Sequence, residues 1–241
     1  MRSLRAAVSF LTVLPVANPD GGAGDRLGRY YFPAVGALVG LAAGAVFVLT
    51  TAIATPLLAA AAAVAALTLL TGALHLDGLA DSADGLLARG DAARRLEVMR
   101  DPRLGTYGVA ALVTALVLQV AALAAMPPAR AFAALVVAGA VSRLAALYVI
   151  AFVPYVRPEG LGMVASAASR RGLDFLVAAV IALLACAVDW RRAAVSLVAV
   201  AACTLTIVAI ARRRIGGATG DVCGATVELG QLATLLVFAA R

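Results

Sequence analysis

The chain has 241 residues, 63% of them hydrophobic and 14% charged, and a mean hydropathy of +1.00. A water-soluble domain of this length has too little interior to hide so much apolar surface, so the composition excludes one. The net charge of +7 is carried by 20 arginines without a lysine, set in short loops between apolar runs; that pattern fits membrane retention and anionic lipid, not a nucleic-acid footprint.

The N-terminus, "MRSLRAAVSFLTVLPVAN", has the look of a signal peptide: two arginines and then an apolar run. The run is too short to span a bilayer, and a polar, arginine-bearing loop follows it, so 1–31 is read as a retained interfacial or re-entrant segment. Apolar runs of spanning character then fall at 32–54, 56–74, 108–126, 131–153, 174–189, 193–211 and 225–240. The first two are joined only by Thr55-Pro56, and "MPPAR" at 126–130 marks another tight turn. The expected architecture is one all-α, polytopic membrane bundle over 1–241. It has about seven transmembrane helices, or about six to eight because the fifth and seventh runs are short.

With seven spans, residues 1–31, 75–107, 154–173 and 212–224 share one side and hold 15 of the 20 arginines. The arginine-rich side is expected to be cytoplasmic. Nearly all acidic residues share it, so the chemistry is expected there. On a helix, Asp77, Asp81 and Asp84 fall at i, i+4 and i+7 and share one face. Three carboxylates on one stripe repel one another, and a divalent cation held with phosphate oxygens and water removes the conflict; Mg²⁺ suits such a site. His75, the only histidine, is read as a general base, a partner of the site or an interfacial residue. Arg100 and Arg103, in a loop shaped by Pro102 and the glycines of "LGTYG", are candidate anion ligands. Tyr155, Arg157 and Glu159 crowd a Pro/Gly turn after a span. Gly216, Gly217 and Gly220 precede Asp221, a glycine-rich entry to a helix that offers amides to an anion, with Asp221 as a further metal or nucleophile-positioning group. Arg143 and Glu228 lie inside spans, where charges default to paired or functional roles. Cys186, Cys203 and Cys223 form no metal or disulfide pattern.

These elements together resemble the cobalamin synthases, the adenosylcobinamide-GDP ribazoletransferases. The matching stretches are "FLTVLPV" at 10–16, "YFPAVGALVG" at 31–40, "ALHLDGLADSADGL" at 73–86, "RRLEVMRDPRLGTYGVAAL" at 94–112, "PYVRPEGLG" at 154–162 and "GGATGDVCGA" at 216–225. The resemblance implies an inner-membrane transferase that moves the adenosylcobinamide phosphate of adenosylcobinamide-GDP onto the 5′-hydroxyl of α-ribazole or its 5′-phosphate. GMP leaves, and Mg²⁺ is the cofactor. It implies Asp77, Asp81 and Asp84 on the metal, His75 and Asp221 as catalytic groups, and Arg100, Arg103, Arg157, Gly217 and Gly220 on the substrates. The expected partners are the two substrates, the bilayer, and a second copy or other cobalamin-assembly enzymes, with no nucleic acid.

Two rival readings are weighed against this. Residues 81–89 read Asp-x-x-Asp-Gly-x-x-Ala-Arg, like the first half of the CDP-alcohol phosphotransferase signature, but the second half fails at Val98. A transporter would spread polar residues through several spans, whereas here they collect in loops on one side.

Overall fold

A computed structural model of the chain describes residues 2–16, 26–157 and 171–240. Glu159 and residues 17–25 of the expected N-terminal loop lie outside the described residues. Helix α1 spans Arg2–Leu11, and a 3-10 turn over Arg26–Tyr31 leads into α2, Phe32–Thr51. Then come α3 (Pro56–Thr71), α4 (Leu74–Leu87), α5 (Ala92–Val98), α6 (Thr106–Ala124) and α7 (Pro128–Phe152). The last three are α8 (Arg171–Cys186), α9 (Trp190–Ile215) and α10 (Gly220–Ala239). Among the described residues the only β pairing is an isolated bridge between Tyr155 and Ala218.

α2 and α7 form the centre of the bundle. Gly36, Gly40 and Gly44 recur every fourth residue and present one smooth face of α2. A Cβ on Gly36 would collide with the Gly139 carbonyl, and one on Gly40 with the Leu135 carbonyl. In a bilayer, lipid tails remove the hydrophobic drive between helices, so such close backbone contact supplies the association. Phe32, Phe47, Leu135 and Phe238 fill the space around it and are fully buried.

Among the described residues, five helical stretches are long and apolar enough to cross a membrane, six if one bent pair counts as a single span. The chain is thus a polytopic, all-α membrane protein. The difference from the seven expected spans has two causes. The second expected span, 56–74, is a 16-residue helix, α3, that turns by 90° into α4. The fifth and sixth form a continuous 44-residue apolar stretch, Gly172–Ile215, broken only by a 3-10 turn at Ala187–Asp189. Asp189 leaves helical backbone there (φ −150°, ψ 81°) and caps α9 by accepting from the Arg192 amide. Phe175 of α8 lines the same apolar groove as Leu197, Ala201 and Thr204 of α9, so the two helices fold back as a hairpin.

The α3–α4 bend is made by two consecutive left-handed residues, Gly72 (φ 60°) and Ala73 (φ 59°). Glycine adopts this conformation freely; alanine does so at about 1 kcal/mol. The bend turns α4 by 90° from α3 and lays it across the end of the bundle. There it meets the start of α10 so closely that a Cβ on Gly78 would stand 3.0 Å from the Gly224 Cα. The start of α6 and the chain just past the ends of α7 and α9 reach the same end. α1 folds onto this end as well, with Phe10 stacked on Phe32 at 5.5 Å.

Candidate active site

The three aspartates of α4 do share a face, and they meet three different environments. Asp77 is exposed, Asp81 half-buried and Asp84 buried. Asp84 accepts hydrogen bonds from the Gly105 amide at 2.8 Å and the Gly108 amide at 2.9 Å. Those are orphan donors at the N-terminus of α6, so Asp84 caps that helix from a distance. Asp81 has no such partners among the described residues. Burial, and then the charges of Asp77 and Asp221, push its carboxyl up to about 7, against a weaker pull from Arg157.

The second half of the site comes from the segments after α7 and before α10. Ala218 donates to the Pro154 carbonyl at 2.8 Å and accepts from Val156 at 3.0 Å. Gly217 packs so tightly on the Pro154 carbonyl that a Cβ would collide with it. This pairing fixes Arg157 beside Asp221, at 2.7 Å in a charge contact. The contact is not aligned as a hydrogen bond, and Arg157 Nε has no acceptor among the described residues. Thr219 caps α10 through the Val222 amide and reaches Asp221 Oδ2 at 3.2 Å. Gly220 opens α10 with nothing within 4 Å of its missing side chain, leaving room for an anion at the amide end of the helix.

α4 divides two cavities. The inner one, about 270 Å³, is lined by His75, Asp77, Arg143, Arg157 and Asp221, with Phe10, Phe32 and Ile150 among its apolar walls. The outer one, about 530 Å³, is lined by Asp77, Asp81, Arg100, Arg103 and neighbours on the 99–104 loop. Asp77 borders both. Arg103 is exposed and grips Asp101 through two side-chain bonds of 2.9 and 2.7 Å, which hold the Asp101 carboxyl at about 2. Arg100 is exposed and carries no such partner among the described contacts.

His75 is buried, and its Nδ1 has no hydrogen-bond partner among the described residues. Burial, and then the Arg143 charge, hold its imidazole well below its ordinary value, so it is neutral near pH 7.

Sequence reasoning left open how Arg143 and Glu228 are used. They are joined by a relay of amides. Arg143 Nη1 donates to Gln231 Oε1 (3.2 Å), Gln231 Nε2 to Gln119 Oε1 (3.1 Å), and Gln119 Nε2 to Glu228 Oε2 (3.0 Å). The two glutamines were missed because an amide in an apolar run carries no chemical signature of its own. Arg95 is buried and donates to the Leu86 and Gly90 carbonyls, closing the C-terminal end of α4.

Among the described residues no three acidic, histidine or cysteine side chains converge closely enough to hold a metal by themselves. The electrostatics nonetheless fit a divalent cation shared with a substrate. The charges of Asp77 and Asp221 both act on Asp81 and are offset in part by Arg157, and Mg²⁺ ordinarily takes one or two carboxylates plus phosphate oxygens and water.

A family model described as cobalamin-5-phosphate synthase matches residues 3–239. The chain is 40% identical to the adenosylcobinamide-GDP ribazoletransferase of Bradyrhizobium diazoefficiens over 98% of its length and 93% of that protein's. It is 41% identical to the one of Azorhizobium caulinodans, covering 96% and 92%, and 37% identical to the one of Shigella flexneri, covering 96% of each. No solved structure matches the chain.

Proposed function

The chain belongs to the cobalamin-5-phosphate synthase family, and on that premise we propose that it is an adenosylcobinamide-GDP ribazoletransferase acting at the arginine-rich end of the bundle. The acceptor is the 5′-hydroxyl of α-ribazole or of its 5′-phosphate. The single observation that carries this reading beyond the family match is the position of Asp77. It stands where an aromatic-walled cavity and an arginine-bearing cavity meet, and displacement at phosphorus needs donor and acceptor brought together there.

The acceptor oxygen bonds to the phosphorus that carries cobinamide, the bond from that phosphorus to the GMP oxygen breaks, and GMP leaves. Such transfers depend chiefly on positioning and charge neutralisation. His75 Nδ1, neutral and unpartnered among the described residues, accepts the hydrogen bond of the attacking hydroxyl and orients it. Asp221, held by Arg157 and Thr219 and pushed up by burial, takes its proton. Arg157 Nε and the open amide end of α10 at Gly220 receive phosphate oxygens, and Arg100 and Arg103 neutralise the departing nucleotide. Mg²⁺ would be held by Asp77 and Asp81 and would supply charge neutralisation on the diphosphate. Asp84 is left to α6. The reading puts this end on the cytoplasmic side of an inner membrane, which the concentration of arginines in its short loops supports.

The test is GMP release from adenosylcobinamide-GDP by purified protein, with and without α-ribazole and Mg²⁺. Release that requires both is expected. Release of CMP from a CDP-alcohol, with no reaction of the corrinoid, would transfer the assignment to the lipid phosphotransferases.

A further inference from the structure

We propose that the inner cavity is the subsite for the nucleoside acceptor, and that the donor's diphosphate and guanosine lie on the opposite face of α4. This rests on the transferase reading above and adds to it which substrate enters where.

Size comes first. At about 270 Å³ the inner cavity is near the lower limit of small-molecule sites. A benzimidazole riboside fits that space; a corrin ring with its nucleotide tail does not. Wall chemistry comes second. Phe10, half-buried and stacked at 5.5 Å on the fully buried Phe32 with planes 12° apart, gives the cavity an aromatic wall, and Ile150 adds an apolar side. A flat, neutral heterocycle gains dispersion and stacking there. The third observation is a set of buried polar atoms without partners. His75 is 4% exposed and Arg143 2% exposed, both line this cavity, and His75 Nδ1 and Arg143 Nε have no hydrogen-bond partner among the described residues. Buried polar atoms left unpaired are destabilising. One acceptor and one donor beside an aromatic wall complement the hydroxyls of a ribose whose base is stacked. The Arg157–Asp221 ion pair borders the same space, so the 5′ end of that sugar points toward Asp77.

The donor side differs in each respect. Its cavity is about twice as large, open at the 99–104 loop, and carries Arg100 and Arg103 with Asp77 and Asp81. That chemistry suits a nucleoside diphosphate. The two substrates thus approach from opposite faces of α4 and meet at Asp77. The N-terminal helix, through Phe10, becomes part of the acceptor site.

The test compares steady-state constants for each substrate in Phe10→Ala, Phe10→Leu and Arg100→Ala. Phe10→Ala raises KM for α-ribazole about tenfold, as expected for loss of one aromatic stacking surface, and leaves KM for adenosylcobinamide-GDP within about twofold. Arg100→Ala does the reverse. Phe10→Leu keeps the packing of α1 and shows a smaller shift of the same sign. Equal effects on both constants, or a Phe10 effect confined to the corrinoid, overturn the assignment. Equilibrium binding of α-ribazole alone to the wild type and Phe10→Leu separates the two readings. Saturable binding weakened by Phe10→Leu upholds the subsite even if the wild type releases no GMP; unweakened binding overturns it.

Discussion

The Asp84 carboxylate receives the Gly105 amide at 2.8 Å, across 21 residues of sequence, and so ties α4 to the first turn of α6. With the Gly108 amide on its other oxygen, Asp84 is occupied on both sides, and a side chain on either glycine would collide with it. Asp81, three residues earlier, has no comparable partner among the described residues. Substituting these two aspartates should therefore separate stability from activity. Asp84→Asn replaces two charge-assisted bonds with weaker ones and should lower unfolding stability by about 2 kcal/mol. Asp81→Asn should leave stability unchanged or raise it while reducing GMP release at least about a hundredfold. Thermal unfolding in detergent, run beside the activity assay, checks both. Equal stability losses in the two variants would sink the distinction.

Asp81 also sets a pH dependence. Its carboxyl sits at about 7 in the fold, against an ordinary 3.8, so the folded protein holds that proton more tightly than the unfolded chain. Stability is therefore greatest at low pH, declines as pH rises from about 4 through about 7, and levels off above. In metal-free protein the unfolding temperature should fall between about pH 5 and about pH 8 relative to Asp81→Asn. Mg²⁺ competes with the proton, so its apparent affinity should rise with pH below about 7 and plateau beyond it. A wild-type curve parallel to that of Asp81→Asn would remove Asp81 from both roles.

Arg157 and Asp221, 2.7 Å apart, join the segment after α7 to the start of α10. The guanidinium can face the carboxylate with one nitrogen and a phosphate with another; an ammonium cannot do both in this geometry. Arg157→Lys should accordingly lower kcat/KM by about ten- to a hundredfold, and Arg157→Ala further. Full activity in Arg157→Lys would show that a point charge suffices.

The aspartate stripe was legible because helical spacing alone puts residues 77, 81 and 84 on one face. The clustering of arginines likewise pointed to the end of the bundle where Arg157 meets Asp221. The division of labour within the stripe was not legible. Asp84's partners are backbone amides, which have no residue identity to read. Nor was the bend at Ala73: a left-handed alanine is imposed by the packing of α4 on α10 against local preference. The signal-like N-terminus shows the same limit. Its apolar run is too short to span, but its place beside Phe32 is set by contacts with a helix that starts more than twenty residues later.

The relay from Arg143 through Gln231 and Gln119 to Glu228 lies within the bundle, and every donor in it points toward Glu228. Its direction follows from charge: Arg143 can only donate, an ionised Glu228 can only accept, and each glutamine amide passes the polarity along. Glu228→Gln retains a carbonyl acceptor for Gln119 and should cost about 1 kcal/mol. Glu228→Leu removes the acceptor, leaves the Gln119 amide and the Arg143 charge uncompensated in an apolar interior, and should cost about 3 kcal/mol or more. Because Arg143 also borders the inner cavity beside His75, a loosened relay should weaken α-ribazole binding as well as stability. The double variant Arg143→Leu with Glu228→Leu removes both charges and should recover stability relative to Glu228→Leu alone. It should not recover α-ribazole affinity, which depends on the Arg143 donor. Unfolding in detergent and equilibrium α-ribazole binding on the three variants measure the two effects separately. Restored affinity in the double variant would show that Arg143 serves the bundle alone.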